Sequence, residues 1–156
     1  MAFKATLTIE NKTFNLLECW SRLEQQTDNK GRPKSEVRGG SIMFVVLGTE
    51  DNLLPAWAAD KKKKHDGEIE LYQWDQDTKF KEISFKNAFV TYFTESYAID
   101  PEHDSMDWLS FKQYSSNFMF KMAHRIHAQF NTNYLFLMEI SAEQIKINGI
   151  EHNNRW

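Results

Sequence analysis

The chain holds a single cysteine, Cys19, so an internal disulfide is excluded and a reducing compartment is implied. Prolines number only three and glycines six, too few for a collagenous or low-complexity chain. Neither sign of charge dominates. A formal net charge of −3 gives no strong pull toward nucleic acid or an anionic membrane, and neither is expected as a partner. No apolar run is long enough to span a bilayer, so membrane insertion is not expected. The opening residues MAFKATLTIE alternate and carry acid early, which reads as a strand and not as a signal peptide. The expected location is cytoplasmic, with any export proceeding without a signal peptide.

The chemistry of common sites is also missing. HExxH and CxxC spacings are absent, and Arg38–Gly39–Gly40 precedes a strand where a phosphate loop would precede a helix. Asp75, Asp77 and Glu95 are scattered and form no glycosidase pair. Cys19 reads as a strand cysteine without a partner that would activate it. His124 and His127 stand at i, i+3, with His103, Asp104 and Asp107 upstream. They read as surface histidines beside Arg125, and His152 reads as a structural residue beside Trp156. No catalytic residue, metal or cofactor is expected.

What the chain does hold is aromatic: twelve Phe and five Trp, a composition suited to strands and to protein interfaces. Its length suits one domain over residues 1–156. Phe3, Ala5, Leu7 and Ile9 alternate with polar residues as a half-buried strand. A turn is expected at Asn11–Lys12, then a partner strand to about Gln25, with a bulge near Leu16–Leu17. Thr27–Gly40 reads as a long polar loop, either a solvated hairpin tip or an arm that docks on a neighbour. Ser41–Leu47 (SIMFVVL) is apolar on both faces and needs cover on both, from the core on one side and from a helix or another chain on the other.

A short helix is expected from Thr49 to about Lys63, capped by Thr49 or Asn52 and burying Leu53, Leu54 and Trp57. Lys61–Lys64 then form its solvated end. Asp66–Gly67 and Asp75–Thr78 read as turns, and three strands are expected over Glu68–Tyr72, Phe80–Phe85 and Asn87–Ala98. From Asp104 to Phe130 the period becomes helical: Trp108, Phe111, Ser115, Phe118, Met119, Met122, Ala123, Ile126 and Phe130 recur at spacings of three and four, with a break plausible at Ser115–Asn117. The chain returns to strand near Thr132. It bends at Ser141–Gln144 and turns at Asn148–Gly149 before a polar tail closed by Trp156. The sum is a mainly β chain with helices (α+β), a barrel or sandwich with one side helix.

Several pieces in order carry a resemblance: MAFKATLTI, Glu18–Cys19, QQTDNKGRPKSEVRGG, GTEDN, KKKKHDGEIELY, KEISFKNAFVTYFTESY and ISAEQIKINGIEHNNRW. Together they resemble the type VI secretion tube proteins called TssD or Hcp. The resemblance implies a small β-barrel of two packed sheets with a side helix. It also implies self-assembly into six-membered rings that stack into a tube, with contacts to tube, spike and effector proteins. On that basis the subunit-interface candidates are Asp28, Gly31, Arg32, Pro33, Arg38, Gly39, Gly40, His152 and Trp156. Residues 99–131 read as a helical insertion into this pattern. Its apolar residues must be buried, and Trp108, Phe111, Phe118 and Met122 are the partner-contact candidates. The insertion could face the lumen, a ring face or the outside. Three functions are therefore weighed: a structural tube subunit, a non-tube adaptor on the same barrel, and an enzyme with metal at His124 and His127.

Overall fold

The computed structural model describes residues 3–24, 26–33, 38–73, 78–98 and 118–153. Its elements run β1 (Phe3–Ile9), β2 (Lys12–Glu24), β3 (Arg38–Leu47), α1 (Leu53–Ala59), β4 (His65–Gln73), β5 (Lys79–Tyr97), α2 (Phe118–Phe130), β6 (Tyr134–Ile147) and β7 (Ile150–Asn153). The strand order is β3-β2-β1-β4-β5-β6-β7, and an added β3–β6 pairing closes six strands into a barrel. All pairings are antiparallel.

Three irregularities fold the sheet into two walls. At Leu17 the β2 register slips, so Leu16 still pairs with Ala5 of β1 while Glu18 onward pairs only with β3. Asn87 adopts a left-handed conformation (φ 51°) and drops out of the β5–β6 ladder. Its amide donates instead to Asp66 Oδ1 (2.8 Å), and its side chain reaches Glu143 Oε2 (2.7 Å). On β6, pairing with β3 stops at Ser141 and pairing with β7 starts at Gln144. Bulges of this kind bend strands around barrel corners. The first wall comprises β7, the C-terminal half of β6, Lys79–Ala88, β4, β1 and the start of β2. The second wall is four-stranded: Glu18–Glu24, β3, Leu135–Ser141 and the C-terminal half of β5.

Alternation places Leu7, Ile9, Phe14, Leu16, Ile42, Phe44, Val46, Ile69, Phe85, Phe136, Met138 and Ile140 in one buried core between the walls. α1 adds Leu54 and Trp57 to it, and the Trp57 indole donates to Lys63 O and Ala88 O at 3.2 Å each. Gly67 permits the close approach of β1 and β5 here. A Cβ on it would lie 2.5 Å from Phe85 Cζ and 3.0 Å from Thr8 O.

Several sequence expectations are corrected. The first turn is Glu10–Asn11, both at positive φ, with Ile9 opposite Lys12, the two-residue hairpin geometry. Arg38–Gly40 belong to β3 and not to the loop; Gly40 sits at φ 71° where the register shifts between Arg22 and Leu23. The first helix spans only seven residues, and Lys61–Lys64 lie beyond it. Asn52 is the N-cap residue, as expected, but its side chain makes no capping hydrogen bond; Asp51 Oδ1 accepts the Leu53 amide at 2.8 Å instead. Asp66–Gly67 lie within β4 as a bulge, and β5 is one strand and not two. The turn at Asn148–Gly149 and the bulge near Leu16–Leu17 stand as expected. The expected turn at Asp75–Thr78 falls mostly outside the described residues, as do residues 99–117 with the break at Ser115–Asn117.

Candidate assembly surface

The two-faced strand β3 is covered on both sides by this chain alone. Ile42, Phe44 and Val46 point into the barrel, while Val45 points outward into a second cluster with Leu135 and Leu137 of β6 and Ala123 and Ile126 of α2. α2 therefore lies on the outer face of the second wall. Two polar anchors fix it across the strands. His127, only 4% exposed, places Nδ1 2.6 Å from Thr132 O and Nε2 2.8 Å from Ser96 Oγ on β5. With Nδ1–H donating to the carbonyl, the Ser96 hydroxyl donates to Nε2. Arg125 reaches the other way, to both carboxylate oxygens of Glu18 on β2 at 2.8 and 3.0 Å. The helix thus lies over β3 and β6, the two middle strands, with its anchoring side chains reaching Glu18 and Ser96 on the two outer ones.

Those margins are strand edges. Among the described residues, no strand pairs with Glu18–Ser21 on the side away from β3, and none with Thr91–Tyr97 on the side away from β6. The β2 margin exposes Trp20 and Leu23; the β5 margin exposes Tyr97, whose ring stacks on Tyr134 at 4.6 Å. Beside the β5 margin, Pro55, Ala58, Ala59, Val90, Thr91, Tyr92 and Phe93 line an open cleft of about 360 Å³ between α1 and the strand. A smaller but more enclosed hollow of about 230 Å³ lies on the outer face between Trp20, Arg22, Ser41, Met43 and Glu139.

Within the β2–β3 connection, residues 27–33 form a tight tip. Thr27 bridges to Pro33, and Asp28 Oδ1 accepts the amides of Lys30 and Arg32 at 2.9 Å each. Gly31 takes the left-handed conformation that this tight turn requires (φ 76°), and its amide donates to Asp28 O. Asp28, Gly31, Arg32 and Pro33 therefore sit together at this tip, whereas Arg38 and Gly39 lie in β3 opposite Glu24 and Leu23, with Gly40 at the bulge beside them. His152 is half-buried on β7, opposite Ile145 at the far end of the first wall, so it is not brought to the tip. Phe118 and Met122 lie on α2. Trp108, Phe111 and Trp156 lie outside the described residues, as do His103, Asp104 and Asp107.

Two expectations about α2 change. His127 is a buried anchor and not a surface histidine, and Phe130, expected on the apolar stripe, is 41% exposed. Among the described residues no group of three or more His, Cys, Asp or Glu could hold a metal. Cys19 is half-buried on β2, and burial pushes its thiol up to about 11. The sequence reading missed Glu18, Trp20, Leu23, Ser96 and Tyr97. An available signal was Leu23, which is out of phase with Phe14 and Leu16; Trp20 continues their alternation, and only the bulge at Leu17 turns it to the other face.

The sequence model of the family described as Hemolysin coregulated protein Hcp (TssD) matches residues 1–112. The match ends between β5 and α2, so the closing hairpin lies outside it. Among solved structures, Hcp1 from Flavobacterium johnsoniae is similar over 97% of this chain and 99% of its own, at 24% identity and a TM-score of 0.73. Hcp1 from E. coli is similar over 100% and 99%, at 14% identity and a TM-score of 0.60. The sheath/tube terminator of an extracellular contractile injection system is similar over 92% of both chains, at 12% identity and a TM-score of 0.52. No curated protein matches the sequence.

Proposed function

The chain belongs to the hemolysin coregulated protein (Hcp, TssD) family, and from that premise we propose that it is a ring-forming, tube-type subunit of a type VI secretion or related contractile injection apparatus. Residues 1–156 act in this reading as one unit. The observation that carries it is the second wall, whose two unlike edges, Glu18–Ser21 and Thr91–Tyr97, are unpaired among the described residues. An open edge is a hazard unless it is covered. Contact between the β2 edge of one copy and the β5 edge of the next is head-to-tail, and such contacts close into a ring when the rotation permits. Six copies, stacked rings and contact with tube, spike and effector proteins are the finer reading taken from the family. Export would follow through the apparatus.

Within this reading the tip at Asp28, Gly31, Arg32 and Pro33, with Arg38–Gly40 at its base, reaches the neighbouring copy, and His152 and Trp156 serve contacts between rings. Among the described residues no helix is long and apolar enough to cross a membrane. The test is negative-stain imaging of the intact chain beside Leu23→Asp. Rings for the former, and dispersed protomers with unchanged far-UV circular dichroism for the latter, are expected. Dispersed protomers for both, at high concentration, contradict the proposal. A second reading, a non-tube adaptor on the same barrel, draws on α2 lying across the wall; it predicts a monomer.

A further inference from the structure

We propose that α2 lies inside the channel of the ring and that its free face packs near the α2 helices of the other copies, so that the channel is closed to folded proteins. The inference rests on the ring reading above and concerns which side of the wall becomes concave.

A ring joined through the edges of the second wall is a closed cylinder of strands. Each wall contributes four strands at about 4.8 Å spacing, so six copies give a cylinder about 37 Å across if the strands run along the axis. A barrel-like tilt of about 40° widens it to about 48 Å. Each protomer carries its core, α1 and its entire first wall on one face of the second wall. Six such bodies cannot fit within that width, so they lie outside, and the face bearing Val45, Leu135 and Leu137 looks inward. α2 is docked on that face by Ala123 and Ile126.

Its placement suits this position. Ala123 and Ile126 seat it over the middle strands, and it meets the outer strands only through the side chains of Glu18 and Ser96, so among the described residues the backbone of neither edge is paired. A helix is about 10–12 Å across with side chains, so one seated on the wall brings its free face to about 15 Å from the wall's backbone. Helices on opposite sides then leave about 7 Å for upright strands and about 18 Å for tilted ones. A small domain is about 30 Å across. Neighbouring helix axes lie about 9–14 Å apart, near or at the 8–10 Å of packed helices. The side of α2 turned away from Ala123 and Ile126 carries Ala128 and Gln129, both exposed in the isolated chain.

The experiment combines top views of rings with cross-linking. Gln129→Cys, in a Cys19→Ala background, is treated with a short bismaleimide; Glu68→Cys, exposed on β4 of the first wall, is the comparison. The expected result is rings with filled centres and conversion of Gln129→Cys, but not Glu68→Cys, from protomer to linked species. Rings with empty centres, and no linkage at Gln129→Cys beyond that at Glu68→Cys, overturn the inference while leaving the ring reading intact. Absence of rings at any concentration overturns the ring reading and this inference with it.

Discussion

Ile126→Ala probes whether α2 is an integral part of the barrel. Ile126 is fully buried against Val45, Leu135 and Leu137. Truncation removes three carbons, worth about 2.4 kcal/mol at about 0.8 kcal/mol per group. The residual cavity adds to this, and Ile→Ala changes in cores run to about 2–5 kcal/mol. One side of the cluster is a single helix that can settle inward, so a loss of about 2–3 kcal/mol is expected. For a chain of this size that lowers the melting temperature by about 4–12 °C, at about 2–4 °C per kcal/mol. The comparison is Ile150→Ala on β7, where the side chain is 76% exposed and the expected loss is under about 0.5 kcal/mol. Urea titration followed by circular dichroism, with both variants at matched oligomeric state, measures the pair. Equal midpoints for the two would refute the docking of α2 on the second wall.

Other outcomes follow from the same packing. Gly67→Ala places a methyl 2.5 Å from the Phe85 ring and 3.0 Å from a backbone oxygen, so a loss of about 1–3 kcal/mol is expected by thermal melting. Asp51 accepts from the Leu53 amide and pairs with Lys12 at 2.8 Å; hydrogen bonds from the Lys12 ammonium and then from the Leu53 amide hold its carboxyl below the usual carboxylate range. Its contribution is therefore present above the ordinary aspartate value and is lost as pH falls through the lowered one. Stability titrated from pH 5 downward is expected to fall less steeply in Asp51→Asn than in the parent. Cys19, with its thiol pushed up to about 11 by burial, is expected to react with Ellman's reagent at neutral pH at least about 100-fold more slowly in the native chain than in urea. Comparable rates in the two states would place Cys19 in solvent.

Much of the barrel was legible along the chain because it rests on local chemistry. Alternation located β1, the apolar run of β3 called for cover on both faces, and Asn148–Gly149 set the last turn through positive φ at both residues. The Asn87 region shows where local reading stops. An asparagine before a fresh alternation looks like the turn between two strands, but here it is a kink within one strand, held by Asp66 and Glu143 across the sheet. Those partners lie far off in sequence, so no local pattern distinguishes the two cases.

The same holds for the candidate surface. His127 looks polar and solvated on a helical wheel beside Arg125; it is buried because Ser96 and Thr132 converge on it. The open edges of the second wall were invisible for another reason: an edge is a property of strand order, and only the β3–β6 closure shows which strands have one neighbour. Asn52 was legible as the N-cap residue of α1, but only the fold shows that the Asp51 side chain, and not that of Asn52, meets the Leu53 amide.

The central claim is that this chain closes into a ring through the two edges of its second wall. Light scattering coupled to size-exclusion chromatography on the intact chain tests it most directly. The account predicts a closed oligomer several times the 18.4 kDa protomer, roughly 110 kDa for six copies, and protomers for Leu23→Asp. A single species at the protomer mass, unchanged as concentration rises, would contradict it.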